Sequence, residues 1–227
     1  VRVEFGELTV TTWAARIPAC LVVCDGQSLN ILPGPAVGFP AQCEALLSAT
    51  ACTRGDVVAI GSTSYLVLSQ TQATRCNRHA HTTPLPIWHG VGGTSDVLNG
   101  DTAATMYANI KAYVLAAKAA GFAKAVITTI TPSTGFTAGQ NTQRQAANDL
   151  LIGNADAAFD RVVDLACDST LSNPGAPPSG TTYYGTGHLA NPADTTYYNA
   201  DGLHWKAAGC ADAASSCVPA LRSVGAT

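Results

Sequence analysis

Two short segments carry residue types that do chemistry together. One is Asp25-Gly26-Gln27-Ser28-Leu29-Asn30 and the other is Asp201-Gly202-Leu203-His204. A serine hydroxyl is a weak nucleophile until a base takes its proton. Asp25-Gly26 is a turn pair just past an apolar run, so it exposes Ser28 and can aim that residue's own N–H at a developing oxyanion. The Asp-x-x-His spacing, in a turn entering a helix, lets the Asp201 carboxylate reach Nδ1 of His204. Nε2 is then left to face the serine. The two segments therefore supply a nucleophile, a base and the acid that orients the base. Taken singly, each also has a plainer reading: a turn serine, and a helix-capping aspartate beside a histidine.

Acyl transfer also needs donors for the oxyanion. Gly61, after Ala59-Ile60, is a candidate backbone donor, and the loop Gly92-Gly93-Thr94-Ser95-Asp96 offers Ser95 as a side-chain donor. The glycines of both loops also serve tight turns. Tyr183, Tyr184, Tyr197, Tyr198 and Trp205 are expected either to wall the site, against a sugar face or an acyl chain, or to pack the loop that carries them. His79-Ala80-His81 has no carboxylate beside it, and no metal is expected. Gly90-Val91-Gly92-Gly93 lacks the position and spacing of a dinucleotide loop, so no cofactor is expected.

These residues need a frame. Short apolar, β-rich runs recur at 19–24, 56–60, 85–89, 123–130 and 161–166. Near-continuous runs of this kind suit parallel strands buried on both faces. Helical stretches at 41–50, 102–120, 140–159 and 205–221 separate or follow them. In the second, Met106, Ile110, Tyr113, Val114 and Ala117 share one face, with Asp101 placed to cap its start and Gly121 its end. Alternating strand and helix implies an α/β sandwich, with ligands outside the carboxyl ends of the strands. Ser28, Gly61 and the 92–96 loop then meet on one rim. A long loop, 168–199, holds two copies of Thr-Thr-Tyr-Tyr and lies just before Asp201. Its length suggests function and its aromatics argue against disorder. Residues 1–18 are an N-terminal strand or extension without an assigned role, ahead of a domain spanning 19–227.

The whole chain of 227 residues can bury a sizeable core. Only 12% of residues are charged, about half the usual share, and the net charge is −3. With no Lys/Arg cluster, nucleic acid is excluded as a partner class. No run is apolar for about 20 residues, so no membrane span is expected. Eight cysteines without a Cys-x-x-Cys pair point away from zinc and toward disulfides in an oxidising compartment. Cys43 with Cys52 and Cys210 with Cys217 are the expected local pairs. Buried thiols in a reduced protein are the plainer alternative. The sequence opens at Val1 without a charged-then-apolar leader, which leads us to expect a mature or excised domain of a secreted or virion-associated protein.

The motifs together resemble the SGNH/GDSL hydrolase family. Residues 25–30 are similar to its first block, with Ser28 as nucleophile. Their Gly-Gln-Ser is closer to the sialate and carbohydrate acetylesterase branch than to Gly-Asp-Ser. Gly61 resembles the second-block oxyanion glycine, and Gly93-Thr94-Ser95-Asp96 the third block. Asp201-Gly202-Leu203-His204-Trp205, followed by Gly209, closely resembles the last block. Arg144, Asn148 and the 162–165 strand look like the stretch that precedes it. The resemblance spans about residues 19–222. It implies a flavodoxin-like three-layer α/β/α sandwich around a five-stranded parallel sheet of order 2-1-3-4-5. It further implies a Ser28-His204-Asp201 triad, an acyl-enzyme, and a short-chain or O-acetyl ester substrate carried on carbohydrate. One departure stands out: the family's asparagine donor is Ser95 here, and a hydroxyl reaches less far than a carboxamide. Ser95 with a shifted loop, Asn99 or Asn77 in its place, or backbone donors alone would each answer it. The alternatives in other classes are a glycan- or cell-wall-binding module on this fold and a structural virion or surface domain.

Overall fold

The computed structural model describes residues 20–27, 29, 33–34, 36–47, 52–54, 58–59, 80, 85–154, 157–173 and 180–226. Ser28, Gly61, Asn77, His79, His81 and the 1–18 extension lie outside the described residues. Among the described residues, seven strands form one sheet: β1 (Cys20–Gly26), β2 (Cys52–Arg54), β3 (Val58–Ala59), β4 (Leu85–Val91), β5 (Lys124–Thr128), β6 (Arg161–Asp164) and β7 (Thr182–Tyr184). The order is β2-β1-β4-β5-β6-β7, with β3 also paired to β1. Every pairing is parallel. β2 and β3 take successive stretches of the same edge of β1, so together they fill the second-strand position. The expected 2-1-3-4-5 order of five parallel positions is therefore present, and β7 extends it by one.

Helices α1 (Phe39–Leu46) and α5 (Ala207–Ser223) cover one face of the sheet, while α3 (Ala103–Ala119) and α4 (Ala138–Gly153) cover the other, with the short α2 (Thr94–Leu98) beside α4. β1 is buried along its whole length because both faces are covered. Its residues divide between two cores. Val22 and Cys24 face α1 and α5, and Leu21 and Val23 face α3 and α4.

Local chemistry sets the helix ends. α3 buries the five expected residues, but Thr102 rather than Asp101 caps it, accepting from the Thr105 N–H at 3.2 Å. Gly121, at φ +111°, closes its C-terminus with a bond from its N–H to the Lys118 carbonyl at 3.0 Å. α4 stops at Gly153 rather than 159, because Asn154 turns into the left-handed region at φ +38°. The side-chain amide of Asn154 then binds both backbone groups of Phe159. α1 begins earlier than expected, since Pro40 sits in its first turn, where the missing N–H costs nothing.

The expected disulfides are not formed. Cys43 is a thiol, against its pairing with Cys52, and Cys210 and Cys217 are thiols on the same helix. Seven residues of α-helix span about 10 Å, beyond the reach of a disulfide. Burial, followed by the neighbouring cysteines, pushes the Cys43 thiol well up, and burial does the same to Cys217. Thiols in that state are poor nucleophiles. Among the described residues, no helix is long and apolar enough to cross a membrane, and no three His, Cys, Asp or Glu side chains are grouped to hold a metal.

Candidate active site

The site is built at the carboxyl ends of the strands. β1 ends at Gly26 and delivers Gln27, which is buried and directly precedes Ser28. The Gln27 carboxamide ties this turn to the loop after β4. Its oxygen accepts from the Gly93 N–H at 3.1 Å, and its Nε2 donates to the buried Asp96 carboxylate at 3.3 Å. A glutamine suits this position because a second carboxylate facing Asp96 at this range would be repelled. Asp25 is buried too, and accepts from the indole N–H of Trp88 at 3.3 Å. The first turn and the 92–96 loop are thus one hydrogen-bonded unit.

The Asp201–His204 turn arrives from the other side. Oδ2 of Asp201 lies 2.7 Å from Nδ1 of His204. Oδ1 of the same carboxylate accepts from the N–H groups of Leu203 and His204, each at 3.0 Å. Partial burial raises the Asp201 pKa, but the hydrogen bonds from the His204 ring and these two N–H groups outweigh it and hold the carboxyl below its ordinary value. An ionised Asp201 fixes the tautomer with its proton on Nδ1 and leaves Nε2 as acceptor.

Four further contacts hold that turn in place. The Asn199 N–H donates to the His204 carbonyl at 2.8 Å, and a bridge joins Tyr198 to Trp205. From the segment after β5, Thr134 gives its hydroxyl to the Asp201 carbonyl at 3.2 Å and its N–H to the Gly202 carbonyl at 3.1 Å. The stretch leading to Thr134 is anchored at Ile130. The buried Asn148 binds both backbone groups of Ile130, at 2.8 and 3.0 Å. The buried Arg144 donates to the Ile130 carbonyl at 2.8 Å and pairs with Asp168 through two nitrogens. Arg144 and Asn148 thereby fix the strand exit that supports the Asp201–His204 turn.

Between the two assemblies lies a half-open cavity of about 200 Å³. His204 and Leu203 line one side, and Thr94, Ser95, Leu98 and Asn99 the other, with Gln27 between them. Ser95, His204 and Asn99 are thereby brought to one pocket. Tyr198 and Trp205 are not: both are buried in the α1/α5 core, where the Tyr198 hydroxyl donates to the Leu189 carbonyl at 2.7 Å. Tyr183 and Tyr197 pack on the edge of that core, and Tyr197 stacks on His188 at 4.7 Å. None of the five aromatic residues lines the cavity.

Two contacts of the site gave no sequence signal. Gln27 looks like part of a turn until its partners across the sheet are seen. Thr134 lies 67 residues from Asp201, and nothing in a Thr-Gly dipeptide announces the contact.

Comparison with known proteins bears on the fold. No family model and no curated protein matches the sequence. Solved structures do. A member of the lipolytic G-D-S-L family from Veillonella parvula superposes with a TM-score of 0.65 at 15% identity, over 90% of this chain and 99% of that one. An acetyl esterase mutant with an acetate ion gives 0.61 at 16% identity, over 90% and 97% of the two chains. A carbohydrate esterase family 3 structure from Talaromyces cellulolyticus gives 0.59 at 15%, over 90% and 97%. The chain has the α/β fold of these G-D-S-L lipolytic and esterase structures, along nearly the whole of their length.

Proposed function

We propose that this protein is a serine esterase acting on short-chain or O-acetyl esters, with carbohydrate as the alcohol part. Ser28 is the nucleophile, His204 the base and Asp201 the group that orients it. Nε2 of His204 takes the Ser28 proton as the serine oxygen bonds to the ester carbonyl carbon. The tetrahedral intermediate collapses, the C–O bond to the alcohol breaks, and His204 returns the proton to the leaving alcohol. Water, deprotonated in turn by His204, then releases the acid from the acyl-enzyme. The N–H groups of Ser28 and Gly61 and the Ser95 hydroxyl or Asn99 carboxamide stabilise the oxyanion.

One observation carries the reading: an Asp–His pair at 2.7 Å opens onto a cavity whose other wall starts at the residue before Ser28. The fold shared with lipolytic and esterase structures supports it, and the acetyl esterase and carbohydrate esterase among them support the choice of substrate. The size of the cavity, about 200 Å³, suits a small acyl group, and its two leucines and uncharged polar groups suit a neutral ester.

The test is p-nitrophenyl acetate hydrolysis from about pH 5 to 9, on the parent and on Ser28→Ala, with fluorophosphonate labelling and peptide mapping. Turnover that rises with pH, label on Ser28 alone, and loss of both in Ser28→Ala are expected. A parent that neither turns over nor takes label overturns the proposal.

A further inference from the structure

Ile130 is fully buried just past the end of β5, and its main chain and side chain serve different parts of the site. The main chain belongs to the Asp201–His204 side. Asn148 and Arg144 hold both backbone groups of Ile130, and the short run through Pro132 then brings Thr134 to the carbonyls of Asp201 and Gly202. The side chain lies instead against Gly93, in the loop after β4. A Cβ built on Gly93 would meet Cγ1 of Ile130 at 2.5 Å, Cδ1 at 2.7 Å and Cγ2 at 3.3 Å. Gly93 takes φ +101° as the cap residue of α2 and gives its N–H to the Gln27 carboxamide. Gln27 therefore holds Gly93 from one side and Ile130 packs on it from another. Ser95, next but one in the chain, lines the cavity with His204.

We propose that Ile130 is a positioning residue for ester hydrolysis, setting where the Gly93–Ser95 segment stands relative to His204. The inference rests on the esterase reading above and adds to it a residue that touches no substrate. Interiors are packed closely enough that the loss of one methyl group is felt by its neighbours. A shorter side chain at position 130 withdraws the surface on which Gly93 rests, while Asn148 and Arg144 still hold the main chain that leads to Thr134. The segment carrying Ser95 then shifts and His204 does not. The transition state needs the base and the oxyanion donors in register, and a misplacement of about 1 Å costs on the order of 10²-fold in rate. Capture of a small ester in a half-open cavity is less demanding, so the loss falls on kcat and not on KM.

The experiment measures kcat and KM on p-nitrophenyl acetate, with Tm, for the parent, Ile130→Val, Ile130→Ala, Ile110→Val and Ile110→Ala. Ile110 is the control: it is fully buried in the same core, on α3, and does not line the cavity. We expect Ile130→Val to lower kcat by about three- to tenfold and Ile130→Ala by about ten- to a hundredfold, with KM within about twofold of the parent. The Ile110 variants lose Tm to a similar extent but keep kcat within about twofold. A second arm adds Gly93→Ala. In the parent the new Cβ collides with Ile130; in the Ile130→Ala chain those three contacts are gone and only the left-handed strain is left. Gly93→Ala should therefore cost at least about fivefold less in kcat in the Ile130→Ala chain than in the parent. With an active parent, Ile130 variants whose kcat falls no further than that of the matching Ile110 variants overturn this inference alone. Strict additivity of Gly93→Ala and Ile130→Ala does the same. Should Ile130→Ala not fold, the comparison of Ile130→Val with Ile110→Val decides. A parent without turnover or Ser28 label overturns the esterase reading, and this inference with it.

Discussion

The carboxylate of Asp201 does two things at once. Oδ1 organises its own turn through two N–H groups, and Oδ2 holds Nδ1 of His204. Replacing it by asparagine preserves much of the turn but lets the carboxamide N–H face Nδ1. The imidazole then places its proton on Nε2, the atom that accepts one in the proposed mechanism. We expect Asp201→Asn to lower kcat by about 10³–10⁴-fold with little change in KM or Tm, as steady-state kinetics and thermal unfolding will show. A fall of less than about tenfold would mean that Asp201 does not set the tautomer. Asp201 and His204 were legible in the sequence because their pairing is local, three residues apart in one turn. The support from Thr134 was not, since that contact joins residues 67 apart in the chain.

At the scale of elements, the Asp201–His204 turn depends on the segment that leaves β5. Gly202 takes φ +57°, and a Cβ built there would lie 2.2 Å from Oγ1 of Thr134. An alanine must therefore push Thr134 away or shift the turn, and Thr134 is the residue that binds the carbonyls of Asp201 and Gly202. Gly202→Ala should cost about 1–3 kcal/mol of stability and reduce kcat by about ten- to a hundredfold. Thr134→Ala in the same chain removes the two closest contacts, at 2.2 and 2.6 Å, but leaves the Cβ of residue 134 at 2.9 Å and the left-handed strain. The double variant should recover part of the loss, giving a coupling of about 1 kcal/mol in a double-mutant cycle. Strict additivity would show that Thr134 and the turn act independently. The strands and helices were legible at this scale wherever burial on both faces left apolar runs, as in β1, β4 and β5. β7 was not legible: it is three residues inside the 168–199 loop, and one copy of Thr-Thr-Tyr-Tyr forms it, while the other forms a turn and an isolated bridge. Identical tetrapeptides in two conformations show neighbouring strands, not propensity, deciding the outcome.

At the scale of the whole molecule, the low charge and covered sheet put a titratable group in the core. His89, on β4, is fully buried, stacks on Phe39 of α1 at 5.3 Å, and has no partner for either ring nitrogen. Burial lowers its pKa from 6.5 to about 3. Above the ordinary value, neither folded nor unfolded chain binds a proton there, and stability is indifferent to pH through this residue. Below it, the unfolded chain takes up a proton that the folded one refuses. Stability therefore falls as pH drops from about 6.5 toward about 3, by up to about 1.4 kcal/mol per pH unit. His89→Leu removes the titration and the two unsatisfied nitrogens while keeping an apolar side chain of similar volume. Urea unfolding at a series of pH values should show a variant whose stability declines less steeply than the parent's between about pH 6 and 4, by about one proton's worth of slope. Parallel curves would mean that His89 is protonated in the folded protein as readily as in the unfolded one, and that its place between β4 and α1 admits water or a partner.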